Sequence, residues 1–148
     1  MRRTRVDGAK NEQDFETAVS RAAAPAYLMR LYLPQVGLAN VQNLADYVLF
    51  SKSAVVVELK ETKADSFSLN TFQQKEEAEK FKKVFAAISQ ANGVIPSYRL
   101  VIVVHFIARR VYSLYFLDVN DFKVLHIGDK DVISFDTISE VVDYLLTL

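Results

Sequence analysis

Residues 45–60 read ADYVLFSKSAVVVELK, and this stretch decides the fold. Two runs rich in Val, Leu, Tyr and Phe flank the polar tripeptide Ser51-Lys52-Ser53, which is the pattern of a β-hairpin. With those three residues as the loop, Phe50 pairs with Ala54, Val48 with Val56 and Asp46 with Glu58. Directly opposed residues share a face, and side chains alternate with period two. Asp46, Val48, Phe50, Ala54, Val56, Glu58 and Lys60 are therefore expected on one side, apolar near the turn and charged at the open end. Two facing acids repel unless a cation lies between them, and a divalent metal is the natural candidate. A loop one residue longer or shorter would send the two acids to different faces.

The rest of the chain is ordinary for a globular protein. Its 148 residues suit one domain, with 51% hydrophobic and 24% charged residues. The absence of cysteine excludes a disulfide, a zinc–thiolate centre and a cysteine nucleophile, and it favours a reducing compartment. The longest strongly apolar run, Leu100 to Ala108, is too short to cross a bilayer. The arginines at the N-terminus precede no apolar stretch, so no secretory signal is expected and the protein reads as intracellular. Net charge is zero but uneven: residues 118–148 hold seven acids and two bases, which leaves the part with the hairpin basic. That asymmetry suits a polyanion-binding body with an acidic end.

Residues 1–10, with Arg2, Arg3 and Arg5, show no apolar period and read as a flexible basic arm, either solubilising or touching phosphate; residues 11–148 read as a single domain. Phe15, Val19, Ala22 and Ala23 recur at helical spacing after a cap at Asn11 or Asp14. Pro25 ends that helix, and residues 26–33 are expected to form another turn or two. Glu16 lies beside the apolar stripe, as a solvated helix acid would. Residues 34–44 connect to the hairpin, and 61–70 form a loop. A long helix is expected over 71–90 with its stripe at Ala78, Phe81, Phe85 and Ile88, ended by Asn92-Gly93. Gln74 falls at the start of that stripe, where it either bonds nearby backbone or reaches a site on the sheet. Lys75 faces away from the stripe.

Residues 98–106, YRLVIVVHF, read as a central strand buried on both faces, and Val111 to Leu117 as the next strand. His105 reads as a satisfied sheet histidine, and Arg109-Arg110 at the intervening turn as solvated charge in preference to a phosphate contact. Thr137 and Glu140 have the spacing of a capping box at the start of a last helix. The order helix, strand, strand, helix, strand, strand, helix implies an α/β fold, a mixed central sheet flanked by helices.

An acid, a dozen residues, then acid-x-Lys on a strand is the pattern of metal-dependent nucleases. Asp46 and Glu58 supply hard oxygen ligands for Mg²⁺, with Mn²⁺ as a substitute, and the Leu59 carbonyl is near enough to join them. Lys60 shares their face, where it can orient or deprotonate a water and stabilise developing phosphoryl charge. Acid-x-Lys also occurs at 61–63 and 121–123, but only Glu58-Leu59-Lys60 follows a valine run with an upstream acid in register.

In this context Ala45-Asp46-Tyr47, the block Glu58 to Thr62, and Ser66, Phe67, Leu69 and Phe72 resemble the RecU-like Holliday-junction resolvases of the PD-(D/E)XK nuclease superfamily. The later strands are similar too, and the likeness spans roughly residues 12–125. It implies a restriction-endonuclease-like core and Mg²⁺-dependent hydrolysis of phosphodiester bonds in branched DNA, chiefly a four-way junction. The enzyme would act as a homodimer, with no membrane partner, in the cytoplasm of a bacterium, an archaeon or a phage-infected cell. It implies Asp46 and Glu58 as metal ligands, Lys60 as the catalytic lysine and Glu16 as the helix-borne glutamate near the metal. Related nucleases place a glutamine on the helix after the motif strand, and Gln74 occupies that face. Arg2, Arg3, Arg5, Lys63 and Lys75 are the cations expected to meet DNA. Ala45 stands where the wider superfamily has proline, and residues 34–44 are short for the family's protruding stalk. A non-catalytic DNA-binding module on the same fold, and a restriction- or repair-type endonuclease, are the alternative readings.

Overall fold

The computed structural model describes residues 2–30, 47–67, 98–118, 123–125 and 132–148. Helix α1 spans Arg2–Arg21, and strands β1 (Tyr27–Arg30), β2 (Tyr47–Phe50), β3 (Ala54–Thr62), β4 (Tyr98–Phe106), β5 (Val111–Leu117) and β6 (Ile133–Phe135) follow, with helix α2 at Ile138–Leu145. The six strands form one mixed sheet in the order β1-β2-β3-β4-β5-β6. Among the described strands β3 and β4 run parallel, with Ala54 beside Tyr98 through to Thr62 beside Phe106, and the other four pairings are antiparallel. Parallel neighbours need a long crossover, usually helical. Residues 71–90, where the sequence places that helix, lie outside the described residues.

The hairpin forms in the expected register. Phe50 pairs with Ala54, Leu49 with Val55, Val48 with Val56 and Tyr47 with Val57. Ser51, Lys52 and Ser53 make the turn, with the Ser51 amide donating to the Ser53 carbonyl at 3.1 Å. The two serine hydroxyls pin the turn to the body: Ser51 donates to the Pro25 carbonyl at 3.3 Å and Ser53 to the Leu148 carbonyl at 3.1 Å.

Period-two alternation divides the sheet into two apolar faces. Tyr47, Leu49, Val55, Val57, Val101, Val103, Leu114 and Phe116 form one, covered by Phe15, Ala18 and Val19 of α1 and by Val141, Val142 and Leu145 of α2. Val48, Ala54, Val56, Leu100, Ile102, Val104, Phe106 and Leu117 form the other. Full burial of each such side chain contributes about 1.5–3 kcal/mol. The α2 helix is capped as its sequence predicts: the Thr137 hydroxyl accepts from the Glu140 amide at 3.1 Å and donates to the Glu140 carboxylate at 3.0 Å.

Three expectations change. Residues 2–10, read as an arm, belong to α1, and Asn11 and Asp14 lie inside the helix instead of capping it. Arg, Lys and Ala are good helix formers, so a helix anchored at Phe15 extends back through them, assisted by an ion pair at 3.4 Å between Lys10 and Asp14 one turn apart. Residues 27–30, read as helical, form an edge strand on β2. After Pro25 the segment is too short to nucleate a helix alone, whereas pairing with Tyr47 to Phe50 satisfies its backbone at once. The third change is at β3, which runs on to Thr62, two residues past the expected start of the loop.

Candidate functional site

Beyond Val56 the face opposite α1 turns from apolar to charged. Glu58 is the next residue of β3 on that face and Lys60 the one after. Glu58 is only 3% exposed, and the Lys60 ammonium lies 3.2 Å from its Oε1. The Lys60 side chain is 42% exposed, against the buried carboxylate it pairs with. A buried carboxylate retains its charge only when paired or hydrogen-bonded, and Lys60 supplies that pairing from the same strand.

The strand register surrounds this pair with known neighbours. Glu58 sits beside Ile102 and, one strand further, Tyr115; Lys60 sits beside Val104 and Ser113; Thr62 sits beside Phe106 and Val111. Phe67, just after β3, packs its ring 5.6 Å from that of Tyr115. Burial pushes the Tyr115 phenol up, and the Arg109 charge partly opposes that shift. The Arg109 guanidinium lies over the Phe106 ring, 4.5 Å from its centre. This face is thus apolar and buried at Val56, Ile102, Val104 and Phe106, carries the Glu58 carboxylate and Lys60 on β3 and the Tyr115 phenol on β5, and has the Arg109 guanidinium against Phe106.

Glu16 has a different setting. It sits on α1, over the other face of the sheet, and accepts a hydrogen bond of 2.5 Å from the Tyr47 hydroxyl. Tyr47 is almost fully buried and packs against Phe15 at 5.3 Å between ring centres, the rings tilted by 38°. The sequence offers no local sign of this pair, because its members are far apart in the chain. Leu59 turns its side chain to the helix-covered core, as alternation requires. Lys63 is exposed at the end of β3, and Arg2, Arg3 and Arg5 lie in the first turns of α1. Asp46, Gln74 and Lys75 lie outside the described residues.

The helix-covered face carries a second polar row at the same end of the sheet. Glu61, His105 and Tyr112 are neighbours across β3, β4 and β5. The His105 and Tyr112 rings stack at 4.3 Å and are nearly parallel. Burial holds the His105 pKa below its ordinary 6.5, while the Asp14 charge acts weakly in the opposite direction.

Among the described residues no group of three Asp, Glu or His side chains is placed to hold a metal ion. Glu58 provides one hard oxygen donor on its face, and the sequence pairs it with Asp46. Among the described residues no helix is long and apolar enough to cross a membrane. Comparison of the chain with models of known protein families, and with curated proteins, finds no match.

Proposed function

We propose that the chain is a metal-dependent endonuclease that hydrolyses phosphodiester bonds in branched DNA, a Holliday-junction resolvase acting as a homodimer on a restriction-endonuclease-like core. The observation that carries this reading is the pair Glu58–Lys60: a buried carboxylate 3.2 Å from the ammonium of a half-exposed lysine, beyond the apolar part of one sheet face. The described hairpin pairs, Phe50 with Ala54 through Tyr47 with Val57, follow the register that matches Asp46 with Glu58. The mixed sheet with helices packed on it supports the fold part of the reading.

The residues present suit a hard divalent cation in chemistry: Glu58 and Asp46 are carboxylates, and no soft ligand is near in sequence. Asp46, Glu58 and the Leu59 carbonyl would hold Mg²⁺, which when bound supplies Lewis acidity toward a phosphoryl oxygen. The chain's own residues do the rest. Glu58 holds Lys60 toward the face by their ion pair. Lys60 is exposed enough to meet a phosphate oxygen, orient an attacking water and accept or neutralise charge as it develops. The buried apolar neighbours Val56, Ile102 and Val104 strengthen the Glu58–Lys60 interaction by keeping water from the carboxylate.

Purified protein incubated with a four-way junction, a flap and a plain duplex in Mg²⁺ tests the proposal. Metal-dependent cutting of the junction is expected, reduced at least 100-fold by Lys60→Ala and by Glu58→Ala, the order of loss typical for one electrostatic group in an active site. Cleavage indifferent to both substitutions would sink it. Equal cutting of plain duplex would point to a restriction- or repair-type enzyme, and tight junction binding without cutting to a non-catalytic module.

A further inference from the structure

We propose that Arg109 is a phosphate-binding residue of this site, gripping a nucleic-acid phosphate within a few nucleotides of the one that Lys60 meets. The inference rests on the reading of this face as a nucleic-acid site, and it adds a residue that the sequence pattern treats as solvated charge.

Three observations carry it. First, Arg109 is aimed at the site's face. Its guanidinium lies 4.5 Å from the centre of the Phe106 ring, and Phe106 belongs to the same face as Val56, Ile102 and Val104. Second, Arg109 is exposed, and among the described residues no carboxylate forms an ion pair with it. A guanidinium stacked on an aromatic ring is held in place by its flat side while its N–H edge stays open, and that edge matches phosphate oxygens two at a time. Third, the turn is built at a cost. Arg110 has φ 55, a left-handed conformation that glycine adopts freely and arginine does not. The Arg110 amide closes the turn on the Ile107 carbonyl at 3.3 Å, and the Ile107 amide ties it to the Thr62 carbonyl at 3.1 Å, at the end of β3 itself. A strained turn bonded to the strand that carries Glu58 and Lys60 holds Arg109 in fixed relation to them.

The spacing fits a polynucleotide. Lys60 and Phe106 are on neighbouring parallel strands, with Lys60 beside Val104, two residues before Phe106. Strand spacing and rise place them roughly 8 Å apart. A nucleic-acid strand advances about 3.4 Å per phosphate along its axis, so the two cations meet phosphates within a few nucleotides of each other.

The test is binding of a fluorescein-labelled four-way junction, followed by anisotropy over a series of KCl concentrations in EDTA so that no strand is cut. Wild-type protein is compared with Arg109→Ala, Arg109→Lys and Arg99→Ala. Arg99 is the control, an exposed arginine at the far end of β4, the strand that leads into the Arg109 turn. Arg109→Ala is expected to weaken binding about tenfold and to lower the slope of log Kd against log salt by about 0.9, one phosphate contact. Arg109→Lys should restore the slope but only part of the affinity, because the charge returns without the fork. Arg99→Ala should match wild type. Thermal melting confirms that each variant is folded. Unchanged affinity and slope in Arg109→Ala, or an equal loss in Arg99→Ala, would overturn the contact. A wild-type protein that binds the junction yet cuts nothing in Mg²⁺ removes the nuclease reading and leaves the contact standing. Failure of the wild-type protein to bind overturns both.

Discussion

The Tyr47 hydroxyl donates to the Glu16 carboxylate at 2.5 Å and thereby ties the first helix to the second strand across the core edge. The ring of Tyr47 is buried against Phe15, so its single polar atom must find a partner, and Glu16 is placed one residue further along α1 to provide it. Tyr47→Phe keeps the ring and removes the bond. Chemical denaturation should show a loss of about 1 kcal/mol, less than for a buried bond to a charged group because Glu16 is exposed. A loss near zero would mean that water serves Glu16 equally well.

Glu58→Gln separates stability from metal binding. The substitution removes a buried charge, and Lys60 is exposed enough to be solvated without it, so the metal-free protein should melt no lower than wild type and can be compared directly. Wild-type protein should gain about 2.7 kcal/mol of stability at a Mg²⁺ concentration of 100 times its Kd. The variant should gain little or none. An equal gain in both proteins would remove Glu58 from the metal ligands.

His105 confers a dependence on acid. Its folded pKa is lowered by burial, so below the ordinary value of 6.5 the unfolded chain binds a proton that the folded one resists. Stability therefore rises with pH through the window between the lowered folded pKa and 6.5, and it is lost as pH falls through that window. Melting temperatures across this range should fall toward acid in wild type and fall less in His105→Phe. The same slope in both would assign the acid sensitivity to other groups.

Arg110→Gly should stabilise the fold. It relieves a left-handed residue at a cost of about 1–2 kcal/mol and gives back part of that through the greater freedom of glycine when unfolded, for a net gain of about 0.5–1 kcal/mol. Equilibrium unfolding in urea reads the difference, and a loss of stability would show that the arginine side chain makes contacts that outweigh the strain.

The hairpin was legible because its signal is local. A three-residue polar loop between valine-rich runs admits one register in which the apolar residues share faces, and Phe50–Ala54 and Val48–Val56 follow from it. The Thr137–Glu140 cap was legible for the same reason. What escaped depends on distant partners. Tyr27 to Arg30 became a strand because β2 offered it an edge, and nothing within those four residues says so. The Tyr47–Glu16 bond joins residues on separate elements. Arg109 resembled any solvated turn arginine until the fold put Phe106 beneath it. Of the candidate site, Glu58 and Lys60 could be read from alternation alone, while their neighbours on β4 and β5 needed the sheet.

The parallel pairing of β3 with β4 sets the order in which this face can be assembled. Hairpin β2–β3 closes over three residues, an event of microseconds. Joining β4 to β3 brings Ala54 against Tyr98 and closes a loop that spans the middle of the chain, so its entropy must be met before any contact rewards it. Until then the edge of β3 that carries Glu58 and Lys60 is an open row of backbone donors and acceptors, able to pair with another chain. The strand of the proposed site is thus also open to aggregation during folding, and it leaves that hazard only when β4 arrives.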